Sequence, residues 1–233
     1  MTPTQPAASP EQAAAPGVNG VSVDHPGVTE LFALLAYGEV AAFYRLTDEA
    51  RMAPNLAGRI NMASMAAAEM NHYEVLREAL ESRGVDVVRA MTRYASALEN
   101  YHRLTTPSTW LEALVKTYIG DALAADFYLE IADALPDDAA GVVRAVLSET
   151  GHSQFVVAEV KAAVTASDKQ RHRLALWSRR LLGEAITQAQ FVLADHDELV
   201  DLVMSSGGLA QLTEFFDRLQ KTHGRRVEEL GLA

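Results

Sequence analysis

Leu35-Ala36-Tyr37-Gly38-Glu39, followed by Phe43-Tyr44 and then, thirty residues after Glu39, by Glu69-Met70-Asn71-His72, decides the fold because the chain repeats it. The second copy reads Tyr118-Ile119-Gly120-Asp121, then Phe127-Tyr128, then Glu149-Thr150-Gly151-His152, twenty-eight residues after Asp121. Both copies are rich in Ala, Leu, Glu and Arg, with apolar residues at three- and four-residue spacing, so each reads as two helices. On a helix, residues three apart share a face, so each Glu-x-x-His aims a carboxylate and an imidazole in one direction. A single such motif is ordinary surface sequence. Two in equivalent places form an internal repeat, whose plainest alternative is duplication of a hairpin with a degenerate site.

Proline spacing sets the level of these groups. Glu39 lies fifteen residues before Pro54 and Glu69 fifteen after it, while Asp121 and Glu149 straddle Pro136 by fifteen and thirteen. At equal rise per residue, two hairpins place four carboxylates and two imidazoles in one layer of a bundle. Four carboxylates converging in a core repel one another and lose their hydration, so the set calls for divalent cations. Oxygen and imidazole donors suit iron or manganese. The expected metal ligands are Glu39, Glu69, His72, Asp121, Glu149 and His152, with Glu69 and Glu149 bridging two ions.

The rest of the chain fits an all-α reading. Helices are expected from about Val28 to Met52, Asn55 to Arg83, Ser108 to Leu135, and Asp137 to Thr165. Residues 85–106 are too long for a turn and suit the crossover between two antiparallel pairs. Two further helices, about Asp168 to Ala194 and Leu209 to Leu230, flank the break Ser205-Ser206-Gly207-Gly208. The fold class is thus a ferritin-like four-helix bundle with an additional C-terminal helical hairpin, spanning residues 27–233. Residues 1–26, rich in Pro, Ala, Gln and Gly, read as a disordered tail.

Composition narrows the chemistry. The 233 residues contain no cysteine, which removes thiolate metal sites, iron–sulfur clusters and cysteine nucleophiles. The net charge of −11 disfavours broad nucleic-acid adhesion. The negative excess lies entirely before residue 161, since residues 161–233 hold ten Lys+Arg against ten Asp+Glu. No basic leader and no uninterrupted apolar run long enough for a membrane span is present, so a cytoplasmic protein with no membrane partner is expected.

Several residues beside the ligands invite a role. Phe43 and Tyr73, each four residues after a ligand, are placed to line a pocket, although core packing accounts for either alone. The Ala-rich run 63–68 leaves room for a substrate or for close helix packing. Gly183-Glu184-Ala185 and Gln220-Lys221-Thr222-His223 read as a worn third copy; Glu184 and His223 suit a place behind the ligands, at a substrate mouth, or in a structural pair. Trp110 and Trp177 read as core anchors, and Glu74, Glu78 and Glu81 as an exposed face.

Gly38-Glu39 with Ala42-Phe43-Tyr44, Ala68-Glu69-x-x-His72, Gly120-Asp121 with Asp126-Phe127-Tyr128, Glu149-Thr150-Gly151-His152, Gly183-Glu184-Ala185 and Lys221-Thr222-His223 together resemble the MiaE-like branch of the ferritin-like superfamily, named for a tRNA isopentenyladenosine hydroxylase. The resemblance covers about residues 27–232. It implies a non-haem di-iron hydroxylase or monooxygenase with two iron ions and dioxygen as co-substrate. Electrons would come from an external donor protein, and the substrate would be a small molecule or modified nucleoside; the acidic chain disfavours tRNA itself. Asp121 stands where many such proteins have Glu. A monomer or dimer is expected. Two alternatives stay open: a ferritin-type iron oxidase or store, and a metal-free structural or interaction bundle.

Overall fold

The computed structural model describes residues 21–22, 24–147, 153–205 and 208–233, with side chains described at all of these except 208–212 and 215. Pro26 opens the first helix, α1 (Pro26–Glu49), and the side chain of His25 caps it by accepting from the Gly27 N–H. A 3-10 turn (Ala50–Met52) precedes Pro54, and Asn55 then caps α2 (Leu56–Ser82) by accepting from Gly58 at 2.8 Å. Gly84, at φ 70°, ends that hairpin in the left-handed region, where a residue without Cβ carries no strain.

The crossover is itself helical, as α3 (Val87–Thr92) and α4 (Ala95–Leu104). Helix α5 (Trp110–Ala132) is capped by Thr109: its hydroxyl accepts from Glu112 N–H while the Glu112 carboxylate accepts from Ser108 N–H at 2.7 Å. This reciprocal arrangement satisfies donors that a helix start leaves open. The expected fourth helix is described as two pieces, α6 (Asp137–Val146) and α7 (Ser153–Ala166). Residues 148–152, including the expected ligands Glu149 and His152, lie outside the described residues, as do residues 1–20 of the expected tail. Val21, also assigned to that tail, is buried in the core.

Helix α8 (Asp168–Asp195) ends at His196, and a short helix that periodicity did not anticipate, α9 (Asp197–Ser205), follows before α10 (Gly208–Glu229). Leu199 and Leu202 explain α9, since both bury against α1. Packing there is close: a Cβ on Gly27 would lie 2.4 Å from the Glu198 carbonyl oxygen and 2.7 Å from Leu202 Cβ. Gly27→Ala is expected to cost about 1–3 kcal/mol by forcing α1 and α9 apart, read as a fall in the urea midpoint with unchanged m.

The described residues contain helices and no strand, and none of those helices is long and apolar enough to cross a membrane. Helices α1 and α2 form the first hairpin; α5 with α6 and α7 forms the second; α8 and α10 pack on α5. Trp177 is an anchor as expected, buried and donating its indole N–H to the Glu112 carbonyl at 2.9 Å. The face carrying Glu74, Glu78 and Glu81 is exposed and shares Arg77 as counter-ion.

Two apolar clusters occupy the two ends of the bundle. One gathers Val28 to Ala36 of α1 with Leu76 and Leu80 of α2, and the other Leu46 of α1 and Ala50 of the 3-10 turn with Met62 to Ala66 of α2. The segment left between them holds residues 37–45 and 67–75, and there the polar side chains lie.

Candidate metal centre

Equal spacing from Pro54 places Glu39 and Glu69 at one level across the first hairpin, and one turn further along α2 His72 turns to both. Its Nδ1 lies 3.3 Å from Glu39 Oε2 and 3.5 Å from Glu69 Oε2. One donor atom from each of the three residues falls within 4.8 Å of the other two. Donors at about 2.1 Å from one divalent cation stand about 3.0–3.4 Å apart at octahedral or tetrahedral angles. Two carboxylates and an imidazole at this spacing fit one such ion.

Without a cation, protons do its work. Hydrogen bonds from Nδ1 to Glu39 and Glu69 push the His72 pKa up to about 10, so the ring is an imidazolium at neutral pH. Burial drives the Glu39 carboxyl well above the carboxylate range. Burial also opposes charge on Glu69, but hydrogen bonds from His72 and Glu39 and the nearby Arg45 outweigh it and hold Glu69 low. An arriving metal ion therefore replaces protons on a preassembled group.

Asp121, the matched carboxylate of the second hairpin, is engaged otherwise. Its Oδ1 accepts from Arg45 Nη2 at 2.9 Å. Arg45 Nη1 donates to Thr117 Oγ1 at 2.9 Å and to Glu49 Oε2 at 3.1 Å, and Lys116 Nζ stands 3.7 Å from the other Glu49 oxygen. Arg45, Glu49 and Lys116 are buried, whereas the Asp121 side chain keeps 43% of its surface accessible. That surface lines a cavity, and burial pushes its pKa up to about 7 against the pull of Arg45. Lys116 is lowered to about 8 by burial and by Arg45.

The cavity measures ≈ 800 Å³ and reaches Glu39, Glu69, His72 and Asp121. Its wall is mostly apolar, with Leu34, Leu35, Leu98, Phe127, Val192 and Phe216 drawn from α1, α4, α5, α8 and α10. Met65 and Ala68 border it, so part of the Ala-rich run does face open space. Phe43 and Tyr73, for which the sequence leaves both a pocket wall and core packing open, do not border this cavity: Tyr73 packs against the first apolar cluster and Phe43 against the second. The internal repeat persists in geometry and breaks in environment. Phe43–Tyr44 and Phe127–Tyr128 both meet edge to face, with centroids 5.4 and 5.5 Å apart, yet Tyr44 is exposed while Tyr128 borders the cavity and feels the charge of Glu39.

Glu184 is half-buried on α8, near enough for its charge to act on Tyr101. His223 is buried, and neither ring nitrogen has a hydrogen-bond partner among the described residues. Neither residue borders the cavity. Residues that sequence reasoning passed over are Arg45 and Lys116, together with Tyr101 and His102 of the crossover. The available signal was a lone cation inside an apolar helical face, as in Ala113-Leu114-Val115-Lys116-Thr117-Tyr118-Ile119. Burial and the two cations push the His102 pKa down to about 2, leaving a neutral ring.

No curated protein matches this sequence. A family model described as a ferritin-like domain of actinomycetes matches residues 24–206, which covers both hairpins, the crossover and the three converging donors. With its helical hairpins and a Glu–Glu–His cluster across the first of them, the chain belongs to this ferritin-like family.

Proposed function

We propose that the chain is a non-haem di-iron hydroxylase acting on an apolar small molecule, akin to the MiaE-like branch, with Glu39, Glu69, His72, Asp121, Glu149 and His152 as its ligand set and manganese as the alternative metal. The observation that carries this reading is the convergence of Glu39, Glu69 and His72 on the wall of a mainly apolar ≈ 800 Å³ cavity. Ligand sites of this size that are mostly apolar with a few convergent polar groups are the usual form of small-molecule pockets.

Bound iron would supply dioxygen activation, which the protein's own side chains cannot. The balanced reaction is R–H + O2 + two electrons + two protons giving R–OH + H2O, with electrons from a separate donor protein. Glu39, Glu69 and His72 hold the reactive end of the cavity, while Leu98, Phe127 and Val192 exclude water and orient a hydrocarbon. Tyr128, whose phenol stays protonated through burial, offers a hydroxyl at the same wall.

The test is anaerobic ferrous loading of the full chain, elemental analysis, and then oxygen uptake with a chemical reductant in the presence and absence of apolar ligands. The expected result is up to two irons per chain and uptake that an apolar ligand accelerates. Tens of irons per chain in a closed multi-subunit shell would establish storage, and no stoichiometric metal would leave a structural bundle.

A further inference from the structure

Arg45 meets the carboxylate expected to serve the second metal position. Its guanidinium is fixed from three sides, by Asp121 at 2.9 Å, Thr117 at 2.9 Å and Glu49 at 3.1 Å, with 6% of the side chain accessible. Arg45 pairs with both Glu49 and Asp121, and Lys116 stands beside Glu49. Asp121 therefore has a hydrogen-bonded counter-ion before any metal arrives, whereas Glu39 and Glu69 turn to His72 and Glu69 feels Arg45 only through its charge. A buried carboxylate with a hydrogen-bonded guanidinium partner leaves it only if the new partner outbids it.

We propose that Arg45 is a built-in counter-cation that holds Asp121, making the two metal positions unequal: Glu39, Glu69 and His72 take one ion tightly, and a second ion binds only as Arg45 releases Asp121. This rests on the metal-centre reading above and adds an order of loading to it. Arg45 is a positioning residue, acting through Asp121 on the second ion.

Calorimetric titration of the metal-free full chain with manganese(II) tests it, with the electron paramagnetic resonance signal of the bound ion as a second readout. The wild type is expected to bind one ion at least about a hundredfold more tightly than any second, with a mononuclear signal at one equivalent. Arg45→Gln is expected to tighten the second position at least about tenfold and to bring in a spin-coupled signal. Because Arg45→Gln leaves Glu49 and Asp121 in want of a partner and can unfold the chain, Asp121→Asn provides the second variant. Its amide oxygen keeps the Arg45 hydrogen bond, and the first ion is expected to bind within about threefold of wild type while the second is lost. Two equally tight ions in the wild type, or a first ion weakened more than about tenfold by Asp121→Asn, would overturn the inference and leave the di-metal reading intact. Failure of the wild type to bind any ion would overturn both.

Discussion

Ferrous ion added anaerobically at about a thousand times its dissociation constant is expected to raise the melting temperature of the metal-free chain by about 8–16 °C. A ligand at that excess stabilises the folded state by about 4 kcal/mol, and each kcal/mol moves a domain of this size by about 2–4 °C. His72→Ala removes the donor that meets both Glu39 and Glu69. If the ion then binds about a hundredfold more weakly, the same metal concentration stabilises by about 1.4 kcal/mol, and the shift shrinks to about 3–6 °C. Comparing each protein with and without metal separates loss of the site from loss of packing. A full shift retained in His72→Ala would place the metal elsewhere.

The pH dependence of that shift follows from the same ring. The raised His72 pKa gives the metal-free fold stability that is fully present below about 6.5 and is lost as pH rises through about 10. The metal needs that proton gone, so its affinity is expected to rise by up to about tenfold per pH unit between 7 and 9. Raising the pH thus weakens the metal-free fold and strengthens metal binding. The metal-induced shift in melting temperature widens, and calorimetry in buffers of different ionisation enthalpy reads the released proton directly.

Level along a helix was legible in the sequence, and direction around it only in part. Fifteen residues on either side of Pro54 sufficed to bring Glu39 and Glu69 together, and Glu-x-x-His sufficed to turn His72 to them. The same counting put Asp121 level with its mate but could not foresee Arg45, six residues and about 9 Å further along α1 than Glu39, reaching back to it with a long side chain. Tyr101 and His102 were illegible for another reason: the crossover carries no ligand spacing, and α4 acquires meaning only where it closes the cavity. Helix α9 was missed because Asp195-His196-Asp197 reads as a polar break, whereas the burial of Leu199 and Leu202 against α1 is a tertiary effect.

Ending the chain at Ser205 is expected to abolish cooperative folding, although the family match runs only to residue 206. Helix α10 and the residues after it bury Leu219, Leu230 and Leu232 against the apolar cluster of α1, α2, α5 and α7. Three such side chains contribute about 5–9 kcal/mol at about 1.5–3 each, against a total stability of about 5–15 kcal/mol for a typical domain. The loss extends to the Arg226–Asp126 pair, in which Nη1 and Nη2 donate to the two carboxylate oxygens at 2.5 and 2.8 Å, and to the Tyr118–Glu229 hydrogen bond at 2.7 Å. Phe216, Leu219, Arg226 and Glu229 also wall the cavity, so even a truncated chain that stayed folded would lose part of that wall. Leu230→Ala in the full-length chain isolates the packing contribution, with an expected cost of about 2–5 kcal/mol by urea unfolding. A truncated chain that melts cooperatively within about 5 °C of the full one would mean that the two hairpins and α8 are self-sufficient, and that α10 covers the cavity without holding the bundle together.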